Sequence, residues 1–202
     1  MEQTEKQIVN AEQPRGRLKL VFIALLFFGP LAAAALYYYA GGALHPEGRT
    51  NAGRLLQPIV NVEDDLGEGL LGSLTDGRSE GHWLLIYANE GVCDAACADA
   101  LYRMRQSRLM LGRDMTRLVR VFLHGAEAPD KVLSDGEHEG LIATNNSGLG
   151  GYLDRKRPAD LAPGGLFLID PVGNLVMYFT AELAPADMVG DIEHLLDLSR
   201  IG

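Results

Sequence analysis

A chain of 202 residues with a net charge of −9 and only two cysteines is bounded before any motif is read. Once a polar leader and an apolar segment are set aside, about 145 residues remain, one domain's worth and enough to bury a core. The acidic balance argues against nucleic acid, whose binding needs clustered cations, and fits a solubilising surface, docking to basic partners or attraction of metal cations.

Residues 1–19 are polar and end in Arg15, Arg17 and Lys19. From Leu20 to Ala40 no charged side chain occurs for 21 residues, long enough to span a bilayer as a helix. Pro30 lies mid-segment, where transmembrane helices tolerate a kink, and Tyr37, Tyr38 and Tyr39 close it at headgroup level. The basic flank precedes the span, so the positive-inside rule predicts a cytoplasmic tail over 1–19, a membrane helix over 20–40 and everything later outside the cytosol. The competing reading is a signal peptide cleaved among Ala32 to Ala35. The long leader and long apolar run favour an uncleaved anchor in a bacterial inner membrane. Residues 41–56 read as a flexible linker, with His45 in solvent, and 57–202 as a periplasmic domain.

In that domain an apolar run from Leu55 to Val62 precedes Asp64 and Asp65, and Gly67 to Gly77 reads as turns and a short hairpin. His82 to Tyr87 is the first buried strand. A loop turned by Gly91 then carries Cys93 and Cys97, and a helix runs from Ala95 to about Leu111. Its expected inward residues are Ala98, Leu101, Met104 and Leu111, and Gly112 is its stop. Arg103, Arg105, Arg108 and Arg113 are expected on its solvated face, where they can steer an acidic partner. Leu118 to His124 is the next strand, rich in β-branched and aromatic residues.

Strand, crossover helix and strand make a right-handed unit with a parallel pair, whose ligands gather at the carboxyl ends of the strands. That places His124 toward the same edge as Cys93. Gly125 to Gly151 reads as loop, with one short helical turn near 128–133 and His138 in a segment able to fold over the site. Leu166 to Ile169, a turn over Asp170 to Asn174, and Leu175 to Phe179 form a hairpin. Pro185 opens a last helix with Met188, Ile192, Leu195 and Leu196 on one face. The predicted fold class is therefore α/β: a thioredoxin-like mixed sheet flanked by helices and preceded by one transmembrane helix.

Cys93 and Cys97 are four apart, so on a helix they share a face and can close a disulfide or grip one soft metal ion. A first helical turn aims its amide N–H groups and positive dipole end at the first sulfur, which favours a thiolate. A redox or metal pair, a purely structural disulfide and two inert thiols all remain open at this point. His82 and His194 read as structural or surface groups, and the six methionines as core filler.

With the N-terminal span, the Cys93-x3-Cys97 spacing after a strand, and the hairpin Phe167-Leu168-Ile169-Asp170-Pro171-Val172-Gly173, the chain resembles the Sco/SenC type. These are membrane-anchored thioredoxin-like proteins that handle copper in assembling the dinuclear copper centre of cytochrome c oxidase. The resemblance implies Cu(I) binding and delivery through Cys93 and Cys97, with a respiratory oxidase subunit or another periplasmic thiol protein as partner. Sco proteins place a histidine ligand nine residues before the hairpin proline, where this chain has Ala162. His124 is the substitute third ligand by position, and His138 a remoter one. Two thiolates alone suit Cu(I), which soft sulfur selects. Pro163 falls one residue from the cis-proline position of thioredoxins and is expected trans.

The alternatives to copper delivery are a thiol–disulfide oxidoreductase, with Cys93 attacking and Cys97 resolving, and a non-catalytic thioredoxin-like interaction module. Asn89 to Val92 lack the threonine and proline expected before a peroxidatic cysteine. No phosphate loop, serine elbow or zinc-ligand pattern is present.

Overall fold

The structure is a computed structural model, and it describes residues 16–33, 35, 51–126 and 136–199. The chain divides into two compact units, residues 1–49 and 50–202. In the first, helix α1 (Gly16–Ala33) is apolar, buries none of its residues, and is long and apolar enough to cross a membrane. It starts four residues before the uncharged run, with Arg17 and Lys19 in its first turn. Tyr37 to Tyr39, the linker with His45, and the helical turn expected near 128–133 lie outside the described residues.

The second unit is built on one six-stranded sheet in the order β1-β6-β5-β2-β3-β4. Its strands are β1 (Arg54–Asn61), β2 (Trp83–Asn89), β3 (Leu118–His124), β4 (Leu141–Asn145), β5 (Leu166–Ile169) and β6 (Asn174–Phe179). Strands β2, β3 and β4 run parallel, whereas β5 lies antiparallel beside β2, β6 antiparallel beside β5, and β1 closes the far edge antiparallel to β6. The helices are α2 (Val62–Leu66), α3 (Leu70–Leu74), α4 (Ala95–Met110), α5 (Ser147–Lys156) and α6 (Pro185–Leu198).

Strand alternation sorts side chains to two faces. Trp83, Leu85, Tyr87, Leu118, Phe122 and Leu168 pack under α4 and α6, which contribute Cys97, Leu101, Met104, Met188 and Ile192. The opposite face packs Leu84, Ile86, Val121, Leu123, Phe167 and Tyr178 beneath α2, α3 and α5. The inward stripe of α4 is Cys97, Ala100, Leu101, Met104 and Ser107, the three-and-four spacing of a helix face, while Ala98 is exposed. Leu111, Met188, Ile192 and Leu196 are buried as expected, and Leu195 is half-buried.

Two stretches differ from the sequence reading, and one expectation about a proline holds. Residues 67–77 hold no hairpin: Asn61 accepts hydrogen bonds from the amides of Glu63 and Asp64 and starts α2, and α3 follows after Gly69. The segment read as loop, Gly125 to Gly151, contains a parallel strand, β4, and the start of a helix, α5, that runs on to Lys156. The cis peptide among the described residues is Gln57–Pro58, so Pro163 is trans.

Candidate functional site

Strand β2 ends at Asn89, and the chain turns at Gly91, whose amide donates to Asn89 Oδ1 at 2.9 Å. This loop is held down from behind. A Cβ on Gly125 would collide with the Glu90 carbonyl, so only glycine lets the ends of β2 and β3 lie this close. Val92 then projects into solvent at 87% exposure, beside half-buried Cys93.

Asp94 is the N-cap of α4, and its Oδ1 accepts from the amides of Ala96 at 3.0 Å and Cys97 at 3.1 Å. This corrects the expected electrostatics. Cys93 lies outside the helix, and two first-turn amides assigned to its sulfur are taken by the neighbouring carboxylate. An aspartate directly before a helix is a recognisable cap signal, and it was the missed residue here.

Cys93 and Cys97 are joined as a disulfide, with their Cα atoms 5.1 Å apart. The sulfurs are unequal. Cys97 has no solvent exposure and packs with Tyr87, Leu101 and Phe122, whereas Cys93 only borders that cluster. The Tyr87 ring stacks on Phe122 at 5.6 Å between centroids. Burial, and secondarily the charge of Asp94, raise the Tyr87 hydroxyl above the ordinary tyrosine range.

His124 ends β3 in register with Asn89, at the carboxyl ends of the parallel strands and on the α4 face. Its Nδ1 is 2.7 Å from the carbonyl of Gly125, and its ring tilts against Phe122 at 5.9 Å. When Nδ1 donates to that carbonyl, Nε2 carries the lone pair, the tautomer a metal ligand requires. His138 is elsewhere. It lies in the turn before β4, whose first residue Leu141 pairs with Arg120, whereas His124 pairs with the last residue, Asn145. Because β3 and β4 are parallel, His138 belongs to the amino ends of the strands and cannot cover the disulfide. His194 is exposed on α6, and His82 Nδ1 is 2.7 Å from the Glu80 carbonyl. Among the described residues no group of three or more His, Cys, Asp or Glu is gathered to hold a metal ion.

A groove of about 670 Å³ runs beside the disulfide loop, walled by Glu90 to Val92, Asp94, the first turns of α5, and Pro163 to Gly165. Its floor includes Tyr178, whose hydroxyl donates to the Ala162 carbonyl at 2.6 Å and accepts from the Gly165 amide at 3.0 Å. Burial raises this hydroxyl above the ordinary range as well. A Cβ on Gly165 would strike the Phe179 carbonyl and the Tyr178 ring, so the wall opposite the cysteines requires a glycine there.

Against known proteins, a model of the transmembrane-like, thioredoxin-like C-terminal domain matches residues 83–199, and one of the transmembrane-like N-terminal domain matches 11–41. Together with α1, the second match gives the chain an N-terminal membrane anchor. No curated protein matches the chain at a significant level. The solution structure of the apo Sco1 protein from Thermus thermophilus is similar over 74% of this chain and 99% of that one, at 12% identity and a TM-score of 0.51. Yeast Sco1 with copper bound is 19% identical, covering 60% of this chain and 79% of its own, with a TM-score of 0.47. Bradyrhizobium japonicum ScoI with copper bound is 15% identical, covering 70% and 98%, with a TM-score of 0.44. At 12% identity the likeness to the Thermus thermophilus structure bears on the fold alone, and with the family match it agrees with the expected thioredoxin-like architecture.

Proposed function

Since this chain belongs to the transmembrane-like, thioredoxin-like family, we propose that its folded domain exchanges disulfides with a partner protein at the membrane surface, outside the cytosol, using Cys93 and Cys97. One observation carries the reading: the two cysteines form a disulfide whose Cys93 is reachable while Cys97 is fully buried. That inequality favours Cys93 as the attacked sulfur and supports the following order of events. A partner thiolate attacks Cys93 Sγ, the Cys93–Cys97 bond breaks, and Cys97 leaves as a thiolate that takes up a proton. The partner's second thiolate then attacks its own first sulfur, freeing Cys93 and leaving the partner oxidised and this chain a dithiol. Run in reverse, a Cys93 thiolate opens a partner disulfide and Cys97 displaces the product. The basic residues at the start of the apolar span, Arg15, Arg17 and Lys19, favour a cytoplasmic N-terminus and a periplasmic domain. A reporter fused to the C-terminus that is active only in the periplasm is the expected outcome.

A second reading is supported by His124. Once reduced, the pair offers two soft donors, which suffice for Cu(I), and the Nε2 lone pair of His124 lies at the same sheet end. The ion would be cargo, destined for a copper centre of a respiratory oxidase. The closed disulfide offers it no thiolate, so reduction must precede loading.

Trapping separates the readings. A full-length Cys97→Ser chain should accumulate a covalent adduct on Cys93 that reductant releases, and Cys93→Ser should accumulate none. Absence of any adduct would overturn the exchange reading. The reduced full chain in detergent should hold one Cu(I) against a Cu(I)-selective chelator if it carries copper, and His124→Ala should weaken retention roughly tenfold if that ring is a ligand.

A further inference from the structure

The groove beside the disulfide has an unbalanced charge. Three carboxylates line it, those of Glu90, Asp94 and Asp154, against one guanidinium, that of Arg157. Arg157 is already committed: its Nε lies 3.1 Å from Asp154 Oδ1, and its Nη1 donates to the Leu161 carbonyl. Asp94 is committed too, since it caps α4 through the amides of Ala96 and Cys97. Glu90 is different. It is exposed and forms no ion pair or side-chain hydrogen bond among the described residues.

Its backbone is nevertheless fixed, pressed against Gly125, and its Oε1 lies 3.6 Å from where a Cβ on Gly150 would stand. An unpaired carboxylate thus lies beside the first turns of α5, three residues before the reachable sulfur. Val92, between the two, adds an exposed apolar contact.

We propose that Glu90 selects the partner of Cys93, favouring segments that carry a lysine or arginine next to the reacting cysteine. The inference rests on the exchange reading above and assigns it a substrate class: a cationic thiol segment. The low glycine wall of Gly150, Gly151, Gly164 and Gly165 leaves room for such a segment to lie beside the disulfide loop. Opposite charges at a solvated site attract by an amount worth about a fivefold change in rate at low salt, and salt screens it.

The test uses the full oxidised chain in detergent and three dithiol peptides that differ only in a lysine, glutamine or glutamate beside the first cysteine. Each rate of reducing the Cys93–Cys97 bond is divided by that peptide's rate on a small uncharged disulfide, which removes differences in thiol reactivity. The lysine peptide should exceed the glutamate peptide about fivefold at low salt. Glu90→Gln should bring the ratio close to one, Glu90→Lys should invert it, and 0.5 M salt should collapse it, by roughly the same factor. Equal normalised rates for all peptides with the native chain, or a ratio unchanged in Glu90→Gln, would overturn the assignment while leaving exchange intact. If no peptide reduces the bond faster than it reduces the small disulfide, the exchange reading falls and this inference falls with it.

Discussion

The two faces of the sheet treat buried polar groups differently. Under α5, the two buried tyrosines have partners: Tyr152 donates to Asp65 Oδ2 at 2.7 Å, and Tyr178 bridges Ala162 and Gly165, while Arg54 on edge strand β1 donates from Nη2 to Asp160 and leaves its Nε without an acceptor. Under α4, accounts are left open. Arg120 is 3% exposed, and although its Nη2 donates to the Glu139 carbonyl, its Nε and Nη1 have no acceptor, nor has Trp83 Nε1. Burial first, then the charges of Arg108 and Arg105, lower the Arg120 guanidinium to about 10. The α4 face also carries the disulfide and the fully buried Cys97. The lesson is that both faces bury apolar side chains fully, but the α4 face, which holds the disulfide, also buries a cation with most of its donors unpaired.

The largest test of this contrast is a control. Leu101→Ala under α4 and Leu153→Ala under α5 both empty fully buried sites, and each should cost about 3 kcal/mol in denaturant unfolding. A much smaller loss under α4 would mean that this face is already loosely packed. Next comes the staple: reducing Cys93–Cys97, which closes a short loop, should cost about 2 kcal/mol on the chain-entropy account. Smaller still is a pair of opposite sign. Tyr152→Phe should destabilise by about 1 kcal/mol, because Asp65 loses a donor. Arg120→Met should be neutral or stabilise by about 1 kcal/mol, because an unpaired buried cation is replaced by apolar volume. Both are read as shifts in the denaturation midpoint, and an Arg120→Met loss of 3 kcal/mol or more would show that Arg120 holds its face together (order of magnitude as for a broken buried pair).

The smallest effect is in pH. The Tyr152 hydroxyl first, then Lys156, hold Asp65 below the ordinary carboxylate value of 3.8. The folded state therefore binds this proton less readily than the unfolded chain. Its contribution is fully present above pH 3.8 and is lost as pH falls through the lower folded value. Tyr152→Phe should flatten this acid limb, measured as midpoint against pH.

Legibility in the sequence followed the strength of local signals. Leu118 to His124 is an apolar and β-branched run interrupted only by Arg120 before its closing histidine, and it was placed to the residue, as was the first strand of the hairpin. Strand β4 was missed because it is a five-residue edge strand with one buried side chain, Ile142, and it ends in polar Thr144 and Asn145. Helix α5 was missed because Gly148, Gly150 and Gly151 read as loop, and propensity counts against them. Its packed residues, Leu149, Tyr152 and Leu153, recover by burial what the glycines lose. At the site, the cysteine spacing and the strand-end rule located Cys93, Cys97 and His124. His138 could not be placed without knowing that a strand follows it. The ownership of the first-turn amides depended on Asp94, a single residue whose role is set by backbone angles at the helix start.

The junction between the first and last elements of the folded domain has a consequence for how the protein is made. Asp191, buried in α6, accepts from the amides of Ala52 and Gly53, 138 residues apart in sequence for the second, and β1 hydrogen-bonds to β6 alone. The anchor helix emerges from the ribosome first, and β1 soon after, with its only strand partner and its latch still unsynthesised. For most of translation this stretch must wait as an unpaired edge, and the sheet is sealed only when the chain's end arrives.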